Sequence, residues 1–174
     1  SQFVHRSRDM GVTWEAISPD LTANDPIGHE ASGKPITRDV TGEEFYSTLY
    51  AIRESLHERG VIWTGANDGP FHVTRDNGRT WTNITSRLPG FPDGAYVSEV
   101  VPTRFDARTV YVTVANYREN DYKPYIWAST DAGATFRSIN GNLVCAAPDA
   151  AAPSLADRRG RPSAGAGSRL VASC

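Results

Sequence analysis

Sulfur is scarce in this chain and poorly placed for cysteine chemistry. Of 174 residues two are cysteine, Cys145 and Cys174, and one is methionine. Both cysteines fall in the last 31 residues, so a disulfide framework and a cysteine-based zinc site are excluded from the first 144. No apolar run approaches the roughly 20 residues that cross a bilayer as a helix, and the N-terminal residues show no basic-then-apolar signal segment. Charge of one sign is missing too. Lys plus Arg is 18 against 20 for Asp plus Glu, and a net charge of −2 offers no electrostatic reason to expect nucleic acid or an anionic membrane. The four histidines (His5, His29, His57, His72) show no metal-ligand spacing, so no metal and no cofactor is expected. A phosphate-binding glycine loop and a G-x-S-x-G elbow are also absent. What the chain does have is a 39% hydrophobic content with four Trp, seven Tyr and six Phe, which suffices for a packed core.

The strongest pattern is internal. One octapeptide occurs three times, as Ser7–Trp14, Thr74–Trp81 and Ser129–Phe136, with the form [S/T]-x-D-x-G-x-T-[W/F]. Ile17, Ile84 and Ile139 follow three residues after the aromatic, and Leu21, Leu88 and Leu143 follow seven after it. The Asp of each copy (Asp9, Asp76, Asp131) can accept hydrogen bonds from N–H groups just downstream and close a tight turn. Gly11, Gly78 and Gly133 supply the positive φ such a turn needs. Thr13, Thr80 and Thr135 complete the motif, and Trp14, Trp81 and Phe136 are expected to bury their rings beneath the hairpin. Apolar runs on either side make the unit a β-hairpin.

A second alignment extends the unit. An offset of 49 superposes Ala51-Ile52 on Val100-Val101, Leu56 on Phe105, and Val61–Thr64 on Val110–Thr113. Two more strands therefore precede each hairpin, giving four per repeat, the blade of a β-propeller. The fold class expected is all-β, a partial β-propeller of about two and a half four-stranded antiparallel blades followed by a disordered tail. Residues 1–21 supply the last two strands of one blade, 22–46 an inter-blade insertion, 47–88 a full blade, 89–95 a connection, and 96–143 another full blade. Phe45, Leu49, Ile52 and Leu56 also fall at helical spacing and offer a helix over 43–58. The repeat pairs that segment with 96–107, where Val100-Val101 and Pro102 favour strand and turn, and the repeat is preferred.

The octapeptide resembles the Asp-box, or bacterial neuraminidase repeat, of sialidases, sortilin-type receptors and xyloglucanases. The phrases ISPDLT, PITRD, DNGRTWTNIT and KPYIW are most similar to sortilin-like propellers of large secreted bacterial proteins, over residues 1–143. The resemblance implies that the box residues are structural, that they lie opposite the ligand face, and that the protein is secreted or periplasmic. Two and a half blades form an open arc whose end blades would expose apolar faces, so the chain is expected to be a fragment whose partners are the remaining blades.

The two offsets differ, 49 for the early strands and 55 for the boxes, which places six extra residues at Tyr117–Tyr122 in the later blade. That insertion and the long 22–46 connection are expected to emerge on one face, opposite the box turns. Loops on a rigid scaffold are the usual carriers of function. Tyr117, Arg118, Glu119, Asp121 and Tyr122 combine rings, a guanidinium and carboxylates suited to sugar stacking and to a carboxylate ligand. His29, Glu30 and Arg38 are the candidates on the longer insertion. No catalytic residue is assigned. A glycosidase needs two carboxylates flanking the sugar bond, and the Arg-Ile-Pro motif of sialidases is absent. The reading preferred is a non-catalytic interaction module binding protein or glycan, with a fragment of a glycoside hydrolase as the alternative. After Leu143 the repeat stops: residues 144–174 contain nine Ala, four Arg and no aromatic or Lys. This stretch reads as a shifted reading frame in preference to a natural disordered linker, and no stable packing is expected of it.

Overall fold

The computed structural model describes residues 1–26 and 46–143. The chain is all-β. Strands β1 (His5–Arg6) and β2 (Glu15–Ala16) form a two-stranded antiparallel sheet. Strands β3 (Leu49–Glu54), β4 (Ile62–Ala66), β5 (Phe71–Thr74) and β6 (Thr82–Asn83) form a four-stranded antiparallel meander. Strands β7 (Tyr96–Pro102), β8 (Val110–Asn116), β9 (Asp121–Ser129) and β10 (Arg137–Ser138) form a second meander in the same order. The series does not close. The segment with the competing helical period is strand β3, as the repeat required.

The pairing register corrects the sequence alignment by one residue. Leu49 lies opposite Ala66, as Val97 lies opposite Val114, and Ile52 opposite Thr64, as Val100 lies opposite Val112. These pairs are 48 residues apart, not 49. The bulge between Leu49 and Ala51 recurs between Val97 and Glu99 at the same offset, and so does the bond from Ser55 N–H to Val61 O, repeated from Thr103 to Thr109. A one-residue slip moves every side chain to the opposite face. Trp63 thus corresponds to Tyr111, Gly65 to Thr113 and Thr64 to Val112. The slip arose from matching Leu56 with Phe105, both apolar yet 72% and 84% exposed in the β3–β4 and β7–β8 turns. Packing constrains neither of them.

Each box builds the same turn. Asp9 accepts the Thr13 N–H at 2.8 Å and the Thr13 hydroxyl at 2.6 Å. Asp76 holds Thr80 at 2.8 and 2.6 Å, and Asp131 holds Thr135 at 2.9 and 2.6 Å. The first residue of the box, which the pattern included without a role, is a bridge. Ser7, Thr74 and Ser129 donate their hydroxyls to the Asp and accept the N–H of Gly11, Gly78 and Gly133. The two central residues carry positive φ: Met10 57° and Gly11 92°, Asn77 63° and Gly78 88°, Ala132 58° and Gly133 81°. A further repeated position went unread in the sequence. Four residues after the aromatic, Ser18, Thr85 and Asn140 each accept the N–H of the residue three positions before the box, from Val4, Phe71 and Ile126.

Successive sheets join through these boxes. The ring of Phe136 meets Phe71 of the previous sheet edge-on at 5.9 Å, and the Trp81 indole donates to Ile17 O at 3.0 Å. The box aromatic therefore locks its turn to the neighbouring sheet and not beneath its own hairpin. Trp14 departs further: it is 63% exposed, and its indole folds back onto Gly11 O at 3.0 Å. At the inner end β7 packs against β3 and β4, and the core formed there includes Trp63, Phe71, Val97, Val100, Val112 and Trp127.

Candidate functional site

The box carboxylates are occupied by the fold. Hydrogen bonds from the Thr13 hydroxyl and N–H, then from Ser7, lower Asp9 to about 2. The equivalent bonds from Thr80 lower Asp76 to about 2, and those from Thr135 hold Asp131 well below the ordinary carboxylate range. A carboxylate so satisfied neither donates a proton nor reaches outward for one.

Candidate ligand-contacting residues gather at the opposite end of the sheets. Residues Tyr117–Glu119 form a single 3-10 turn closed by Asn120 at φ 56°, and Asp121 already lies in β9, paired with Asn116. The inserted residues, seven by the corrected register, therefore do not form a long loop. They lengthen β8 and β9 into a ribbon that projects past β4 and β5, and Asp121 and Tyr122 belong to strand β9.

Arg118 sits at the centre of what this ribbon brings together. Its guanidinium lies 5.4 Å from the centre of the Tyr96 ring and 5.7 Å from that of Tyr117, and it donates to Asn67 O of the neighbouring sheet at 3.3 Å. Tyr50 stands edge-on to Tyr96 with ring centres 4.7 Å apart. Burial, reinforced by the bond to Tyr50, raises the Tyr96 phenol well above its ordinary value. The result is three phenols and one cation on a short surface strip, with Tyr50 and Tyr117 exposed. Cation–π contacts hold the guanidinium against the two rings.

Asp121 does not share this strip chemically. It takes the Tyr125 hydroxyl at 2.5 Å and the Asn116 amide at 3.3 Å, and the Tyr125 bond is the main cause of its lowered pKa. Tyr125, pushed up to about 12 by burial and by Asp121, stacks on Trp127 at 6.0 Å. Asp121 thus ties the tip of the ribbon back to Tyr125, nearer its base. Tyr122 is half-buried in β9 and Glu119 is exposed at the turn. His29, Glu30 and Arg38, like the proposed break at residues 144–174, lie outside the described residues.

Several residues of this end were not singled out by pattern. Asn67 accepts the Thr48 N–H at 2.9 Å, and buried Asp68 accepts the Ala23 and Asn24 N–H groups at 2.9 and 3.2 Å. Those bonds tie the β4–β5 turn to the connection that follows β2. The other Asp68 carboxylate oxygen and the Ser47 hydroxyl are buried with no hydrogen-bond partner among the described residues. The run Asn67-Asp68-Gly69-Pro70 is a turn signature that marks this loop. Nothing in the spacing of Tyr50 and Tyr96 announces that they meet. A cleft of about 510 Å³ opens beside the turn, between Asp68, Pro70, Leu88, Phe91 and Asp93.

Among the described residues no group of three or more His, Cys, Asp or Glu could hold a metal ion, and no helix is long and apolar enough to cross a membrane. The chain matches no protein-family model and no curated protein.

Proposed function

We propose that this chain is part of an Asp-box β-propeller acting as a non-catalytic interaction module. It binds a glycan or protein ligand at the end of the sheets opposite the box turns. The observation that carries the reading is the strip of Tyr50, Tyr96, Arg118 and Tyr117. Exposed tyrosine rings offer flat apolar faces with hydroxyl handles, which suit sugar rings and peptide side chains alike. A guanidinium braced by two rings keeps a fixed positive charge beside the tyrosine faces, which favours an anionic or hydroxyl-rich ligand. The box carboxylates, hydrogen-bonded and ionised, serve the scaffold. The remaining blades of a longer propeller are the structural partners in this reading, and a secreted or periplasmic setting follows from the Asp-box resemblance.

Glycan-array screening followed by calorimetry tests the proposal. Tyr117→Ala or Arg118→Ala is expected to weaken a captured ligand by about tenfold, the equivalent of roughly 1.4 kcal/mol, with the far-ultraviolet dichroism unchanged. Ligands that bind both variants as well as the parent would remove the strip from the account. Turnover of a glycoside by the parent protein would favour the hydrolase alternative.

A further inference from the structure

The two-stranded sheet leaves one long edge of β1 bordering a cleft of about 750 Å³, lined by Val4, His5, Ser7, Arg8, Ile52 and Arg59 among others. The internal repeat shows what such an edge accommodates. Strand β1 corresponds to β5 at the 67-residue spacing of their boxes. In the second sheet the matching edge of β5 is covered by β4, with Thr64 opposite His72 and Ile62 opposite Thr74, and β4 is covered in turn by β3. In the third sheet β8 and β7 take those places beside β9.

Two observations favour a strand in this cleft, an apolar wall left uncovered and a backbone edge turned toward it. Ile52, on its far wall, is 44% exposed, whereas its counterpart Val100 is fully buried where β3 and β4 pack against β7. On the near wall, Val4 directs its backbone to the β2 side. Its carbonyl accepts the Ile17 N–H at 2.8 Å and its N–H goes to the Ser18 hydroxyl at 2.8 Å. Antiparallel alternation then turns the N–H and C=O of His5 and Ser7 toward the cleft. Charge sets a further condition. The lining carries the guanidinium groups of Arg6, Arg8 and Arg59; Arg6 and Arg8 share the one carboxylate of Glu15, at 2.7 and 3.3 Å, and Glu54 is engaged with the Gly60 N–H at 2.7 Å.

We propose that this cleft is a strand-acceptor site. It takes an antiparallel β-hairpin from another polypeptide segment, a pair of inner strands of the kind formed by β3 and β4, with an acidic residue opposite Arg8. The outer strand of that hairpin pairs with β1 through His5 and Ser7, and its apolar face covers Ile52. This is β-augmentation, in which main-chain bonds supply affinity and alternate side chains supply register.

The test titrates the full chain with a synthetic peptide of residues 46–68, which fills the corresponding place in its own sheet, and follows backbone amide resonances. Saturable shifts at Val4–Arg8 and at Ile52 are expected. N-methylation of the peptide at Thr64, which sits opposite His5 in the transferred register, is expected to weaken binding by at least about tenfold. His5→Pro should do the same, because it removes a cleft-facing N–H while sparing the bonds to β2. A Val61→Glu peptide, which sets a carboxylate opposite Arg8, is expected to bind severalfold tighter. Absence of saturable binding overturns the proposal, and so does binding indifferent to N-methylation, a change that leaves the protein untouched. Equal affinity of the Val61→Glu and parent peptides overturns the acidic register.

Discussion

At the scale of single residues the box is a hydrogen-bond device built around an ionised carboxylate. Each Asp is lowered chiefly by its Thr two positions beyond the glycine, so its folded-state pKa lies below that of the unfolded chain. The sign follows from linkage: a lowered carboxylate contributes stability that is present above the unfolded value and is lost as pH falls through the folded one. For Asp76 that window runs from its ordinary 3.8 down to about 2. We expect Asp76→Asn to be less stable than the parent at neutral pH and to lose part of the acid dependence between those limits. Urea midpoints measured at several pH values would show it, and a parallel loss in parent and variant would contradict it. Much of this device is legible in the sequence, because [S/T], D, G and T recur at fixed spacing and turn chemistry is local. The bridging role of Ser7, Thr74 and Ser129 is legible only once the atoms are in place, since a hydroxyl in a pattern does not declare its partner.

At the scale of elements the joints between sheets decide which side chains are tolerated. Gly65 in β4 faces Val97 in β7 so closely that an added Cβ would stand 2.3 Å from a Val97 methyl. In the third sheet the same position is Thr113, whose hydroxyl instead bonds Ser98 at 2.9 Å. Glycine is required at one of two equivalent positions by the neighbour that packs on it. We predict that Gly65→Ala destabilises by about 1–3 kcal/mol through overpacking. Combining it with Val97→Ala should give less destabilisation than the sum of the two single changes, because the added methyl then has room. Strict additivity in denaturant melts would show that the joint is looser than described. The strand positions were readable from alternation and repetition. Their register was not, because the apolar match of Leu56 to Phe105 involves two turn residues that no packing constrains. The inserted ribbon was legible as extra length, but its form was not. Sequence counts residues; the pairing of Asn116 with Asp121 decides that they extend strands instead of forming a loop.

At the scale of the whole molecule the protein is an unclosed series of sheets whose units differ in support. The β1–β2 sheet has two strands of two residues each and is tied to its neighbour through Trp81, whose indole holds Ile17 O, and Arg6, which reaches Asn77 O. Two-stranded ribbons are marginal on their own. Amides of β8 and β9, in the middle of a four-stranded sheet over Trp127 and Val112, are expected to exchange most slowly, and those of β1 and β2 orders of magnitude faster. Uniform protection across the three sheets would refute this hierarchy. Binding of a hairpin in the cleft beside β1 should narrow the gap, because it converts the weakest sheet into one with the same strand count as its neighbours.

The sequence by itself determined the repeat, the tight turns and the all-β class. All three rest on local chemistry: carboxylate and hydroxyl spacing, positive φ at glycine, and alternation along short strands. Tertiary structure alone decided which turn meets which sheet, that Trp81 and Phe136 serve the neighbouring unit while Trp14 folds on its own turn, and that Tyr50, Tyr96, Tyr117 and Arg118 share one strip. Those outcomes depend on contacts between residues up to 65 positions apart, such as Phe71 and Phe136. Side chains so far apart in sequence meet only when the sheets stack, and one-dimensional periodicity carries no term for that distance.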